Sequence, residues 1–156
     1  MLLGKQVAVV VPAHNEERLL GPTLARIPEY VDLVVVVDDA SSDRTGAVAQ
    51  AAGTRVRLVR HETQHGVGKA VATGYRAAFR ARADVAVVMA GDNQMDPEDL
   101  PRILRPILEG HADYCQGDRL SFPHARKLMP LPRWLGNHGL TLATRFVVGL
   151  PIRDSQ

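Results

Sequence analysis

The sequence predicts an α/β fold in which a mostly parallel sheet carries helices on both faces. Three observations predict it. Apolar runs at 7–11, 33–37 and 85–89 are Val-rich and unbroken by polar residues, the mark of strands buried on both sides. Segments with helical spacing separate them, the βαβα alternation of a parallel sheet. Each run also gives way to a polar, acid-bearing stretch: Pro12-Ala13-His14-Asn15-Glu16-Glu17, Asp38-Asp39-Ala40-Ser41-Ser42-Asp43 and Ala90-Gly91-Asp92-Asn93-Gln94-Met95-Asp96-Pro97. Open α/β sheets bind ligands at the carboxyl ends of their strands, so three such ends imply one crevice for a metal and a nucleotide.

The elements follow in chain order. After the first strand, Leu19, Leu20, Leu24 and Ile27 share one face of a helix over 16–27. Asp43 is placed to cap a helix over 45–52, and Gly53 stops it. A weaker strand is expected over 56–60. The alanine-rich stretch 69–81 predicts a third helix with Val71, Ala78 and Phe79 as core contacts. Asp96 before Pro97 is a good N-cap with proline at the first helical position. Pro101 and Pro106 conflict with one regular helix through Glu109, so a short first turn and a kinked or restarted helix are expected. Another short strand is expected over 114–117, containing the single cysteine, Cys115, as a small buried apolar residue. Residues 121–132 read as a proline-punctuated loop, and 135–150 as an amphipathic helix with Leu140, Ala143, Phe146, Val147 and Leu150 on its apolar side. The expected organisation is a nucleotide-binding α/β core over 1–120, followed over 121–156 by a loop and an amphipathic helix that stop on no closing element.

Bulk properties set limits on function. A chain of 156 residues is one ordinary domain, long enough to bury a core. It contains no run of 18 apolar residues, which excludes a transmembrane helix within these limits, and no secretory cleavage pattern. One cysteine excludes an internal disulfide and fits a reducing, cytoplasmic compartment. The net charge of +2 conceals an asymmetry: residues 1–118 carry −3, and residues 119–156 carry +5. Such a basic tail suits phosphates, on a ligand or on anionic lipid at the cytoplasmic face of a membrane, or is a plain solvated face. Nucleic acid is not expected as a partner, because no recognition motif is present.

Among the polar segments, Asp92 with the amide oxygen of Gln94 offers the hard oxygen ligands that Mg²⁺ or Mn²⁺ takes, often with only one or two carboxylates plus phosphate oxygens. Alone, Asp92 would read as a turn residue. Asp96 is better explained by capping. Successive strand residues point to opposite faces, so only one of Asp38 and Asp39 need face the crevice, where it can accept from a base N–H or from ribose hydroxyls. Turn chemistry accounts for the same residues equally well. Pro12, Ala13, Asn15 and Glu16 can shape a base pocket or simply start a helix. The loop His65-Gly66-Val67-Gly68-Lys69-Ala70 can approach phosphates through backbone N–H groups. It fails both the P-loop pattern, at Ala70, and the dinucleotide fingerprint, at Val71. The six histidines show no zinc spacing, and His61 and His65 read as surface or loop residues.

Taken together these segments, with Gly117-Asp118-Arg119, resemble in order and spacing the family-2 glycosyltransferases of the GT-A (Rossmann-like) fold. The nearest branch is similar to the dolichol-phosphate mannosyltransferase and polyprenyl-phosphate glycosyltransferase group. The resemblance implies that Pro12, Ala13, Asn15, Glu16, Asp38, Asp39, Gly68 and Lys69 hold a nucleoside-diphosphate-sugar donor. It implies that Asp92 is the second acid of an Asp-X-Asp element and binds a divalent cation with Gln94. Arg119 and Arg133 would lie near donor or acceptor phosphates, and Asp154 would be an acceptor-side catalytic residue. Ala90 departs from the family pattern where the first acid of Asp-X-Asp commonly stands, and the chain ends inside the acceptor-side motif, as in a truncated enzyme. The implied reaction is inverting transfer of the sugar to a polyprenyl or dolichyl phosphate, or to a glycan, at a membrane surface. The alternatives are a non-catalytic nucleotide-sugar-binding fragment and, with less support, a nucleotidyltransferase.

Overall fold

The computed structural model describes residues 1–117 together with Gly136, residues 139–142, Thr144 and Phe146. Met1–Asp113 form one compact unit and Tyr114–Gln156 a second. In the first, strands β1 (Val7–Ala13), β2 (Leu33–Asp38), β3 (Val56–Arg60) and β4 (Val85–Val88) alternate with helices α1 (Leu20–Arg26), α2 (Thr45–Ala51) and α3 (Val67–Arg80). A 3₁₀ turn over Pro97–Asp99 then leads into α4 (Leu100–Leu108). These four strands pair in parallel, in the order β3-β2-β1-β4. The chain therefore builds outward from β1 to β3, then returns to the other side of β1. That reversal lies between β1 and β4, where open α/β sheets form their ligand crevice.

Strands β1 and β2 are buried as their composition demands, whereas β4, expected to be a buried central strand, stands at one end of the described sheet with Val85 buried and Ala86–Val88 half-buried. Val7 through Val11 and Val35 through Val37 are fully buried. Each such side chain contributes roughly 1.5–3 kcal/mol relative to exposure. One core joins Val7, Val9, Val11, Val34 and Val36 to Leu20, Leu24, Leu100 and Leu104. Val35, Val37 and Ala70 form a second cluster. Helix α3 packs on β1 and β2 through Ala70, Gly74 and Ala78, small residues four apart that let the helix come close.

Several expectations need correction. Helix α1 begins at Leu20 rather than at residue 16, because the Glu16 carbonyl accepts from both Leu19 and Leu20 N–H and closes a turn there. Leu19 is consequently exposed. Phe79 is 81% exposed and Val71 only half-buried, since the buried stripe of α3 runs through its small residues. Asp43 precedes the N-cap position, which is Arg44, although its carboxylate still accepts from the Thr45 N–H and hydroxyl. Tyr114–Gly117 form no strand, and Cys115 is half-buried.

Other expectations hold. Asp96 accepts from the Glu98 N–H at 3.2 Å, and a short 3₁₀ turn precedes α4, which carries Pro101 in its first turn; Pro106, expected to conflict with a regular helix, lies inside α4. The described residues of the predicted helix at 135–150 are helical, and the Thr144 hydroxyl donates to the Leu140 carbonyl at 2.8 Å. Leu140 and Phe146, expected on its apolar side, are exposed. The expected loop at 121–132 lies outside the described residues.

Candidate functional site

The polar segments at the carboxyl ends of β1, β2 and β4 meet at one edge of the sheet. The β1 end is stitched to the β2 end by side chains reaching backbone groups. The Asn15 N–H donates to Ser41 Oγ (3.0 Å), the Ser42 N–H to Asn15 Oδ1 (2.9 Å) and the Glu16 N–H to Thr45 Oγ1 (2.8 Å). His14 Nδ1 lies 2.8 Å from the Asp39 carbonyl oxygen. Across the reversal, the Gly91 N–H donates to the Pro12 carbonyl at 3.3 Å, and Thr23 Oγ1 donates to the Gly91 carbonyl at 3.2 Å. A β-carbon on Gly91 would stand 3.3 Å from the Ala13 methyl and from the Pro12 oxygen. Glycine therefore lets the β4 loop sit against β1. Each of the three loops contains one left-handed residue, Asn15, Ala40 or Asn93. Asparagine tolerates that conformation, whereas alanine does so at a cost.

Glu16 and Asp92 follow the carboxyl ends of β1 and β4, near enough for the Asp92 charge to act on Glu16. Burial pushes the Glu16 carboxyl above its ordinary range, and the Asp92 and Asp43 charges push it the same way. Asp92 Oδ1 accepts from the Gln94 N–H at 3.1 Å. Among the described residues neither Glu16 nor Asp92 has an ion-pair partner, while nearby Arg26 is engaged by Asn93 Oδ1 (3.2 Å) and Asp96 Oδ1 (3.0 Å). Among the described residues there is no cluster of three or more His, Cys, Asp or Glu able to hold a metal alone. Two uncompensated carboxylates and an exposed amide do fit a hard divalent cation whose remaining ligands are phosphate oxygens and water.

Asp38 and Asp39 are both sequestered, contrary to the expectation that one of them need face the crevice. Asp38 is fully buried; its Oδ1 accepts from the Ser41 N–H at 2.8 Å. Its Oδ2 lies 3.5 Å from Arg60 Nε, an ion pair without hydrogen-bond geometry that leaves this oxygen without a hydrogen-bond partner. Asp39 is 3% exposed, and its carboxylate accepts from His61 Nδ1 (2.7 Å), the His65 N–H (3.0 and 3.1 Å) and the Gly66 N–H (2.6 Å). Burial pulls the Asp39 carboxyl up, but these hydrogen bonds outweigh it and hold the group below its usual range. Next to this pair, a hollow of about 420 Å³ is lined by Ala40, Ser41, Ser42, Arg60, His61 and Glu62. That size lies within the range of small-molecule pockets.

The structure thus brings Pro12, Ala13, Asn15, Glu16, Asp38, Asp39, Asp92 and Gln94 to one sheet edge, with Gly68 and Lys69 in the exposed first turn of α3. Arg119, Arg133 and Asp154 lie outside the described residues. His61, read from sequence as a surface or loop residue, does lie in the loop after β3, but its side chain is only 10% exposed and bridges Asp39 to Thr73. The signal for it was register: Asp38 pairs with Arg60, so the next residues, Asp39 and His61, leave their strands side by side.

A family model described as "Glycosyl transferase family 2" matches residues 8–153. The chain is 30% identical to the UDP-N-acetylglucosamine–dolichyl-phosphate N-acetylglucosaminyltransferase of Methanococcus voltae, covering 99% of this chain and 68% of that protein. It is 33% identical to the undecaprenyl-phosphate mannosyltransferase of Micrococcus luteus, covering 96% of this chain and 63% of that protein. Its fold is similar to glucosyl-3-phosphoglycerate synthase of Mycobacterium tuberculosis in complex with Mn²⁺, UDP-glucose and phosphoglyceric acid. That match has a TM-score of 0.56 and 28% identity, over 69% of this chain and 41% of the other. The chain thus spans about two thirds or less of the length of these proteins.

Proposed function

This chain belongs to glycosyl transferase family 2, and we propose that the whole protein moves a sugar from a nucleoside-diphosphate sugar to a polyprenyl or dolichyl phosphate. The observation that carries the reading is the placement of Glu16 and Asp92 at the carboxyl ends of β1 and β4, two carboxylates without a cationic partner among the described residues; burial first, and then the Asp92 charge, holds the Glu16 carboxyl above its usual range. Names of the relatives supply the acceptor class, and the complex of the structural neighbour supplies the donor class and the cation.

Asp92, with Gln94 and Glu16 beside it, would hold Mg²⁺ or Mn²⁺ against the donor diphosphate. When bound, that cation supplies neutralisation of the charge that develops on the departing diphosphate. The loop from Pro12 to Glu16, the hollow beside Ser41 and His61, and the first turn of α3 at Gly68 and Lys69 would bind and orient the nucleotide. Asp38 and Asp39 then serve by shaping that hollow, as their buried carboxylates already have partners. In-line attack by the acceptor inverts the anomeric carbon. A lipid phosphate has a second pKa of about 6 and is already ionised near neutrality, so it needs no strong base. Asp154, Arg119 and Arg133 are assigned on family resemblance to orienting the acceptor and its phosphate, and a sugar-hydroxyl acceptor would instead require Asp154 as base. No helix among the described residues is long and apolar enough to cross a membrane. We place the reaction at a cytoplasmic membrane face because the acceptor is a lipid.

The test is sugar transfer from UDP- and GDP-sugars to polyprenyl phosphate and to soluble sugars, with Mn²⁺ or with EDTA. Transfer confined to the lipid phosphate and abolished by EDTA is expected. Transfer to soluble sugars alone overturns the acceptor. A second reading, donor binding without turnover, is favoured by Ala90, which leaves one acid fewer beside Asp92. Tight nucleotide-sugar binding with no transfer to either acceptor would establish it.

A further inference from the structure

The Asp39 carboxylate takes no part in the metal side of the crevice, yet it is among the most heavily engaged groups in the described structure. Each of its oxygens receives donors from the segment that joins β3 to α3: His61 Nδ1 and the His65 N–H on Oδ1, the Gly66 N–H and again the His65 N–H on Oδ2. On its far side, His61 Nε2 lies 3.0 Å from Thr73 Oγ1 in α3. The His61 ring also meets the His65 ring edge-on, with centroids 5.2 Å apart. A carboxylate only accepts, so Nδ1 carries a proton and the Thr73 hydroxyl can donate to Nε2. One continuous chain therefore runs from the end of β2, through a histidine at the end of β3, into the body of α3.

What this chain holds is an exposed loop. Residues 62–66 are all exposed, and Gly66 has a φ of 87° at the point where α3 begins. His65 and Gly66 are tied down through backbone N–H groups on a buried carboxylate. An anchor of that kind works only while the carboxylate keeps its orientation. Rotation of Asp39 would release both amides together, and with them the entry to Gly68 and Lys69. His61 is the side chain that opposes this rotation, and it also lines the hollow beside Ser41.

We propose that His61 is a positioning residue for the nucleotide: by fixing the Asp39 carboxylate it holds the 62–66 loop and the first turn of α3 in the shape that receives the donor. The identity of the ligand rests on the function proposed above, whereas the clamp rests on the hydrogen bonds alone. The two nitrogens of His61 separate this role from simple packing. Asparagine places an amide N–H where Nδ1 stands and can still donate to Asp39. Glutamine reaches toward Thr73 and loses that donation.

The experiment measures two quantities in His61→Ala, His61→Asn and His61→Gln: hydrogen exchange at the His65 and Gly66 amides without nucleotide, and affinity for UDP and GDP with Mn²⁺. In His61→Ala both amides are expected to exchange about tenfold faster or more, with nucleotide affinity weakened about tenfold, the scale of a lost charge-assisted hydrogen bond. His61→Asn restores both quantities to within about threefold of the parent, and His61→Gln restores neither. Should His61→Ala fail to fold, the contrast between Asn and Gln decides. Unchanged amide protection in His61→Ala, or equal behaviour of Asn and Gln, overturns the proposal. If the parent binds neither nucleotide, the donor reading fails and the positioning role with it, while amide exchange still reports the clamp separately.

Discussion

Gly74 of α3 lies directly against Val10 of β1, so closely that a β-carbon at Gly74 would overlap the Val10 Cγ1 methyl. This contact sets how near α3 comes to the sheet, and therefore where its first turn stands relative to the strand ends. Gly74→Ala is expected to destabilise the fold by roughly 1–3 kcal/mol through overpacking, read as a lowered urea midpoint. Gly21→Ala is the control: its new methyl would stand 3.7 Å from Val48 Cγ1, and helix propensity alone predicts a gain of up to about 1 kcal/mol.

Ala40 follows the two buried aspartates with a φ of 58°. The left-handed conformation costs an L-residue roughly 1–2 kcal/mol, partly offset by the greater entropy that glycine loses on folding. Ala40→Gly should therefore stabilise the protein by about 0.5–1 kcal/mol, seen as a higher melting temperature.

Burial and the neighbouring Asp92 and Asp43 charges raise the Glu16 carboxyl above its ordinary 4.5. A raised acid binds its proton more tightly in the folded state. Its ionisation thus costs stability, absent below the unfolded pKa and complete above the folded one. Glu16→Gln removes that cost at neutral pH. Solvent screens a half-exposed group, so the expected gain in melting temperature is small, about 1 °C, and is accompanied by weaker Mn²⁺-dependent nucleotide binding. A variant that gains stability and keeps its metal dependence removes Glu16 from the site.

Asp92→Asn keeps the shape and the acceptor for the Gln94 N–H but removes the charge. Sugar transfer should fall by about 100-fold or more, the scale on which loss of transition-state charge stabilisation is felt. The Mn²⁺ requirement should rise in parallel. Asn93→Gly, which loses an exposed contact with Arg26 and keeps the left-handed backbone accessible, should cost less than about threefold by comparison.

Hydrogen bonding holds the Asp39 and Asp43 carboxyls below their usual range even though burial raises both. For a lowered acid the stabilisation is present above the unfolded pKa and disappears as pH falls through the folded one. Acid unfolding should therefore contain a component below about pH 4. Asp39→Asn should flatten that component, which a urea series from pH 2.5 to 6 would detect.

How far the sequence led depended on the kind of interaction. The Val-rich runs announced strands because a parallel sheet covered on both sides needs apolar residues at every position; all three lie where expected, though β4, at one end of the described sheet, is only half-buried beyond Val85. Asp92 was legible because a strand end followed by Gly-Asp puts its acid at the crevice. The predicted core of α3 went wrong at Phe79 because apolarity was weighed above size. This helix buries Ala70, Gly74 and Ala78 since the sheet surface is too close for anything larger. The fates of Asp38, Asp39 and His61 depended on how β2 pairs with β3, and register between strands separated by a helix leaves no local trace. Glu16 could be placed at the site from its position, but its closeness to Asp92 arises from the return of the chain to the far side of β1.

Among the described residues strand β3 stands at one end of the sheet, and two of its five residues are the exposed arginines Arg57 and Arg60. A bare strand edge invites another molecule to add to the ladder, and fixed positive charge there discourages the approach of a like copy. The same arginine that partners a buried aspartate thus also guards against uncontrolled stacking of sheets. Neutralising this border would be felt first as turbidity in concentrated samples, before any loss of chemistry.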